Sequence, residues 1–462
     1  MKELPKICEL SQALNPFNMH SKEFVNNYKA TLILALPVCI SQLGTVAVNV
    51  VDTFMAGILG PVQLASATFG LSVLIPFLML CIGFSFGITP LVSNAHGAGD
   101  TRGIASILKN GLVLNMLFCS TFCGLLYFGT ELLNYLDQPP EVLKEGIPFF
   151  KIMVLSLLPL QFFQVYKQFA EGLSITKQAM FISLFSNVLN IILNYILIFG
   201  KLGFPAYGLM GSGYATLISR IFMALSIWAY VHYATRFEAY RMASSLTNLT
   251  PAMLSKIFKI SFPIGAQLMF ETGAFSFAAL MAGWLGIIEI DAHQIALSLA
   301  AITYMASTGI SAAATIRIGS AYGSKNLKTI KNIGVSAYVL IIIFEICCTI
   351  IFIAFRNVLP GLYIENKEII AMSSSLLLIA AFFQLSDGIQ VVGLGILRGL
   401  GDVKIPTIIA VISYWLIGLP LGYFFAFKLQ FGIQGIWYGL LTGLSFAAIL
   451  LYLRFRMKVQ NF

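Results

Sequence analysis

The chain has 462 residues, 58% hydrophobic and only 10% charged, against roughly 45 to 50% and about a quarter in soluble domains, which excludes an ordinary aqueous globular fold. The formal charge of +9 is scattered over short loops instead of forming one basic patch, which argues against a nucleic-acid partner. Of seven cysteines, six (Cys39, Cys81, Cys119, Cys123, Cys347, Cys348) sit inside apolar blocks as small hydrophobes, so no disulfide framework is expected.

Residues 1–29 mix Lys2, Glu3, Lys6, Glu9, Lys22, Glu23 and Lys29 with polar residues. They lack the apolar stretch and small-residue cleavage site of a secretory signal, so this segment is read as a cytoplasmic arm and the first span as its own insertion signal. Apolar blocks of about twenty residues follow, each long enough to cross a core of about 30 Å. They predict six spans near 30–53, 66–91, 108–128, 147–170, 179–199 and 208–233, forming an N-lobe over 30–235. A cytoplasmic loop over 236–256 leads to spans near 257–283, 292–318, 332–355, 369–396, 405–426 and 432–454. These form a C-lobe over 257–455, with a short cytoplasmic tail over 456–462. The fold class is therefore an all-α polytopic membrane protein with twelve transmembrane helices.

Orientation follows from Lys and Arg. With the N-terminus inside, the inward segments collect most of the basic residues, among them Lys167, Arg236, Arg241, Arg317, Arg398 and Arg454. The outward segments hold only Lys144, Lys151, Lys201, Arg356, Lys367 and Lys428. The positive-inside rule then places both termini in the cytoplasm.

The chain contains a duplication. Met55-Ala56-Gly57-Ile58-Leu59-Gly60 recurs 226 residues later as Met281-Ala282-Gly283-Trp284-Leu285-Gly286. In the same register Pro37 meets Pro263, Gly83 meets Gly309, Thr89 meets Thr315 and Gly97 meets Gly323, and Tyr207-Gly208 later meets Phe431-Gly432. An even number of spans per copy relates the copies by an axis along the membrane normal, as in many alternating-access carriers.

A carboxylate at mid-membrane costs about 3 kcal/mol on insertion scales, so such residues normally face a cavity and act there. Three stand out: Asp52 near the end of span 1, Glu271 within span 7 and Asp387 within span 10. Asp52 could instead be a helix end in water, and Glu271 and Asp387 could be members of ion pairs. Span 5 carries Asn187, Asn190 and Asn194, the last two at i and i+4 on one helix face. Such amides could bond Asp52 or offer carbonyl oxygens to a cation, or they could simply join helices. Arg220 is expected to pair with an acid or to snorkel, Glu345 to be structural or lipid-facing, and His293 to be an interfacial polar residue.

Nothing suggests an enzyme or a bound cofactor. No Walker-type GxxxxGKS/T, nucleophile elbow or His/Cys metal spacing is present, so the energy for transport would come from an ion gradient or a partner.

In this order and spacing the motifs resemble the multidrug and toxic compound extrusion family, in particular its NorM-like bacterial branch. The pieces are Val51-Asp52-Thr53 with Met55-Ala56-Gly57, Phe270-Glu271, Ala292-His293-Gln294-Ile295-Ala296-Leu297, and Gln384 to Asp387 with Leu397-Arg398-Gly399. The resemblance runs from about Leu34 to Tyr452 and implies two six-helix lobes in a V. It implies export of cationic and aromatic drugs in exchange for Na⁺ or H⁺, from a monomer in the bacterial inner membrane. Asp52, Asn190 and Asn194 would form an N-lobe proton or cation site, and Glu271 and Asp387 a C-lobe site for Na⁺. Some relatives carry a tyrosine one turn before the span 10 acid, where this chain has Phe383. A flippase for lipid-linked sugars is the nearest alternative on this fold, although polyanionic cargo calls for several cleft cations and span 6 offers essentially Arg220 alone.

Overall fold

The structure, a computed structural model, describes residues 21–136, 138–245 and 247–460. Residues 1–20 of the expected cytoplasmic arm, and the last two residues of the tail, lie outside the described residues. The described chain is helical throughout and contains twelve helices long and apolar enough to cross a membrane. They are α1 (Asn26–Leu59), α2 (Pro61–Gly97), α3 (Thr101–Tyr135), α4 (Pro140–Gly172), α5 (Lys177–Phe199), α6 (Leu209–Tyr233), α7 (Pro251–Leu285), α8 (Ile287–Gly323), α9 (Leu327–Phe355), α10 (Lys367–Gly399), α11 (Lys404–Lys428) and α12 (Gly432–Gln460). Every predicted span is present. The ends of most extend past the apolar blocks, because a hydrogen-bonded helix can continue into polar sequence.

The breaks between helices repeat with the sequence. Gly60 ahead of α2 and Gly286 ahead of α8 have φ of 131° and 157°, a region that L side chains rarely adopt. The Asp100 carboxylate caps α3 by accepting from the Gly103 amide at 2.8 Å, and the Asn326 side chain caps α9 by accepting from the Thr329 amide at 3.0 Å. The 236–256 segment, read as loop, contains a short helix, Glu238–Ser245. Eight residues are too few to register as a span. Here Arg241 donates to the carbonyls of Val231, His232 and Ala234, which closes the end of α6.

Packing divides the chain into two compact units. One holds residues 40–273, the other the chain up to Cys39 together with residues from Ala274 onward, so the division falls inside α1 and α7. The contacts of the two divided helices explain this. In the first unit the early part of α7 lies on α2, where a Cβ on Gly83 would come 2.7 Å from the Gly265 Cα and 3.0 Å from the Ile264 carbonyl. In the second unit the early part of α1 lies on α8, where a Cβ on Gly309 would come 3.0 Å from the Ala35 carbonyl and from the Cys39 amide. Gly83 and Gly309 are repeat mates, and so are Cys39 and Gly265. The duplication therefore repeats a helix crossing as well as a sequence. Small residues permit these approaches, as is usual where lipid supplies no hydrophobic drive between helices.

Each unit has its own core. In residues 40–273 it gathers Leu74, Cys81, Cys119, Phe149, Phe150 and Leu157 in one cluster and Ile88, Phe169, Ile227 and Phe237 in another. In the second unit Tyr414, Trp437, Leu440 and Leu444 are central. There α11 and α12 touch along Gly418, Gly422, Gly435, Gly439 and Gly443; a Cβ on Gly443 would stand 2.5 Å from the Ser413 carbonyl.

Candidate functional site

The clearest polar cluster of the first unit joins α1, α5 and α6. Helical spacing of four places Asn190 and Asn194 one above the other, and the Asn194 Nδ2 donates to Asp52 Oδ1 at 2.5 Å and to Asn190 Oδ1 at 3.1 Å. Asn190 in turn donates to Thr216 Oγ1 at 3.4 Å. Asn194 is fully buried and Asn190 nearly so, whereas Asp52 is half-buried. The Asn194 carbonyl oxygen is buried without a hydrogen-bond partner. A carboxylate and a free amide oxygen on neighbouring helices are hard oxygen donors, suited to a proton or a small alkali cation and poorly suited to a soft metal.

The third asparagine is not part of this cluster. Asn187 instead faces Gly44 on α1, where an added Cβ would sit 3.0 Å from its Nδ2. Arg220 of α6 donates to the Ser156 hydroxyl at 2.6 Å and lies close enough to Asp52 to interact with its charge. The direct partner of Arg220 is thus a hydroxyl, and Arg220 is in none of the ion pairs seen among the described residues.

Glu271 and Asp387 are both buried, at 5% and 6% exposure, so neither faces open solvent. Glu271 lies in the unit of residues 40–273 and Asp387 in the other. Around Asp387, Ser386 shares a 2.8 Å hydrogen bond with Ser445, and Gln384 donates to Thr349 at 3.4 Å. Phe383 is buried in an aromatic cluster, edge-on to Trp437 at 5.4 Å and to Phe275 at 6.2 Å; Phe275 meets Tyr414, whose hydroxyl bonds Gln390. The ring at 383 fills space and contributes no oxygen.

Two expectations are corrected. His293 is not interfacial: it is fully buried, edge-to-face with Trp437 at 5.7 Å, and both of its ring nitrogens lack hydrogen-bond partners. Of the two roles expected for Glu345 the lipid-facing one is excluded and the structural one is not, since the side chain is 1% exposed and joined through Oε1 to Ser307 at 2.6 Å. In both cases local apolar sequence suggested a helix surface, and only the packing of neighbouring helices reveals which face is covered. Lys167, counted among the inward loop cations, is likewise buried on α4 in a 3.8 Å pair with Glu171.

Comparison with known proteins agrees with the fold and with the duplication. The sequence model of the MatE family matches twice, over residues 37–196 and again over 263–424. The chain is 32% identical over 446 residues to the probable multidrug resistance protein NorM of Agrobacterium fabrum, covering 96% of each chain. It is 32% identical over 429 residues to the multidrug resistance protein NorM of Photobacterium profundum, covering 92% of this chain and 94% of that one. Among solved structures, the eukaryotic MATE transporter AtDTX14 superposes with a TM-score of 0.85 at 21% identity, over 95% of this chain and 98% of that one. At that identity the likeness concerns the fold.

Proposed function

The chain belongs to the MatE family, and from that membership and the Asp52–Asn194 contact we propose that it is a secondary active antiporter exporting lipophilic organic cations in exchange for Na⁺ or H⁺. The observation that carries the reading is a carboxylate held at 2.5 Å by a fully buried amide whose own oxygen is left to a ligand. A carboxylate in apolar surroundings is best neutralised by a proton, an alkali cation or an organic cation. These three therefore compete for one group. Binding of the coupling ion from outside displaces the drug, and the two conformations interconvert according to which ligand each holds more tightly.

In this reading Glu271 and Asp387 are each a cation-coupling residue, with Na⁺ or H⁺ as coupling ion, and each would be needed for full turnover. Their burial within apolar spans supports a functional role, since an acid placed there is costly to insert. The names of the NorM relatives support a drug cargo, and the acid-rich candidate site favours positively charged ones. The working unit in this reading is a monomer in a bacterial inner membrane, with both termini cytoplasmic and the six-span lobes 30–235 and 257–455 as its halves.

Ethidium efflux from proteoliposomes tests the reading, first under an imposed Na⁺ gradient and then under a pH gradient. Wild-type protein should move ethidium under at least one of them, and Asp52→Asn should lose that movement at normal protein level. Ethidium flux independent of both gradients would overturn antiport.

A further inference from the structure

We infer that Glu345, held by Ser307 and seated against Gly388, is a proton-carrying site of the second unit, distinct from Asp52, Glu271 and Asp387. The site joins α8, α9 and α10. Glu345 Oε1 lies 2.6 Å from the Ser307 Oγ, and Oε2 is buried with no hydrogen-bond partner. Gly388 provides the seat: a Cβ there would stand 2.8 Å from both Cγ and Oε1 of Glu345.

The hydrogen-bond inventory identifies the form of the acid. Ser307 also lies 3.1 Å from the Thr303 carbonyl, one helical turn back. A hydroxyl has a single proton to donate. Ser307 is within donor reach of both Oε1 and the Thr303 carbonyl, and we place its proton on the carbonyl, so that its oxygen accepts from the O–H of a neutral Glu345. The short separation is normal for an O–H···O bond. An ionised carboxylate here would have the Ser307 hydroxyl as donor to Oε1 and nothing on the buried Oε2, which is costlier than burying a protonated one. Glu345 takes part in none of the ion pairs among the described residues, which join Lys167 to Glu171 and Asp402 to Arg454 and Lys458. The titratable groups about it are Cys348 on its own helix and Asp387 beside its seat on α10; α8 contributes the Ser307 hydroxyl, and α12 meets α9 at Tyr338 through Tyr452 and Phe455.

The duplication provides an internal comparison. At the repeat position of Glu345 stands Cys119, at that of Ser307 stands Cys81, and at that of Gly388, one residue further in register on this helix, stands Gln161. The register is fixed by matching bonds, since Cys123 Sγ bonds the Val154 carbonyl where Thr349 bonds the Ala381 carbonyl. In the first unit Gln161 fills the space and donates to the Cys81 carbonyl at 3.0 Å and to Asn115 at 2.8 Å. In the second unit the bulk comes from α9 instead, and it arrives as an acid. Packing alone would have been met by the neutral amide arrangement already present in the other copy.

The exchange function rests on the antiport reading, whereas the protonated state does not, and two measurements separate them. Infrared difference spectra at neutral pH should show the carbonyl band of a protonated carboxylic acid that is lost in Glu345→Gln, shifted in Ser307→Ala and kept in Glu345→Asp. In proteoliposomes, ethidium efflux driven by a pH gradient should be lost in Glu345→Gln while efflux driven by Na⁺ persists. Wild-type protein silent under both gradients would sink the antiport reading and leave the infrared result to decide the state of Glu345. A spectrum unchanged by Glu345→Gln, undiminished pH-driven efflux, a wild type driven by Na⁺ alone, or equal loss under both gradients would each overturn the proton-carrying role.

Discussion

Asn194→Ala is the sharpest probe of the Asp52 cluster. The side chain does two things at once: its Nδ2 anchors Asp52 Oδ1 and Asn190 Oδ1, and its own Oδ1 is left without a protein partner. Truncation removes a hydrogen bond to a charged group, worth about 1.5 to 3 kcal/mol. At about 1.4 kcal/mol per factor of ten, ethidium affinity should fall by about ten- to a hundredfold. Fluorescence anisotropy on purified protein in detergent at fixed pH measures this directly. Because the two groups touch, Asp52→Asn and Asn194→Ala should be strongly non-additive, whereas independent sites add to within about 0.5 kcal/mol. Asn187→Ala is the control on the same helix, since Asn187 faces Gly44 rather than Asp52, and its affinity should stay at the wild-type level. Additive single effects, or an Asn187→Ala loss as large as that of Asn194→Ala, would refute the assignment of the cluster.

Two further predictions concern the scaffold. Lys167→Met leaves Glu171 buried without its 3.8 Å partner and should destabilise the protein by about 3 to 5 kcal/mol, while Lys167→Met with Glu171→Gln should recover most of the loss, as read from melting in detergent. Gly83→Leu and Gly309→Leu should each abolish recovery of monodisperse protein, because the atoms in the way include backbone of Gly265 and Ile264 in one case and of Ala35 and Cys39 in the other. Gly124→Ala, with nothing within 4 Å of its new Cβ, should leave the yield unchanged.

Much of the fold is legible in the sequence because membrane helices announce themselves by length and apolarity, and the repeated glycines carry the duplication. The Asp52–Asn194 pairing is also legible in part. Spacing of four puts Asn190 and Asn194 on one face, but nothing local tells which neighbouring helix that face meets, and Asn187 went elsewhere. Glu345 and His293 show the limit most clearly. Glu345 has no motif about it, the motif around His293 does not say which side is covered, and in a membrane the lipid-facing and buried faces have similar composition. The division of packing inside α1 and α7 is hidden for a related reason, since helix periodicity continues unbroken through both points.

What the duplication conserves is backbone geometry, and what it releases is chemistry. The capped starts of α3 and α9, the glycine crossings on α2 and α8, and the bonds from Thr89 to the Gln168 carbonyl and from Thr315 to the Gly395 carbonyl recur almost bond for bond. Such contacts involve main chain and small residues, so they constrain where helices lie without fixing the longer side chains between them. A close-packed interior still requires the volume at each such position to be filled. The two copies satisfy that requirement from opposite helices, with Gln161 reaching the Cys81 carbonyl in one and Glu345 above Gly388 in the other. An exchange of bulk between facing positions leaves the backbone undisturbed while turning a neutral amide into an acid. A repeated scaffold can thus acquire unequal cation sites without disturbing the helix crossings on which its fold depends.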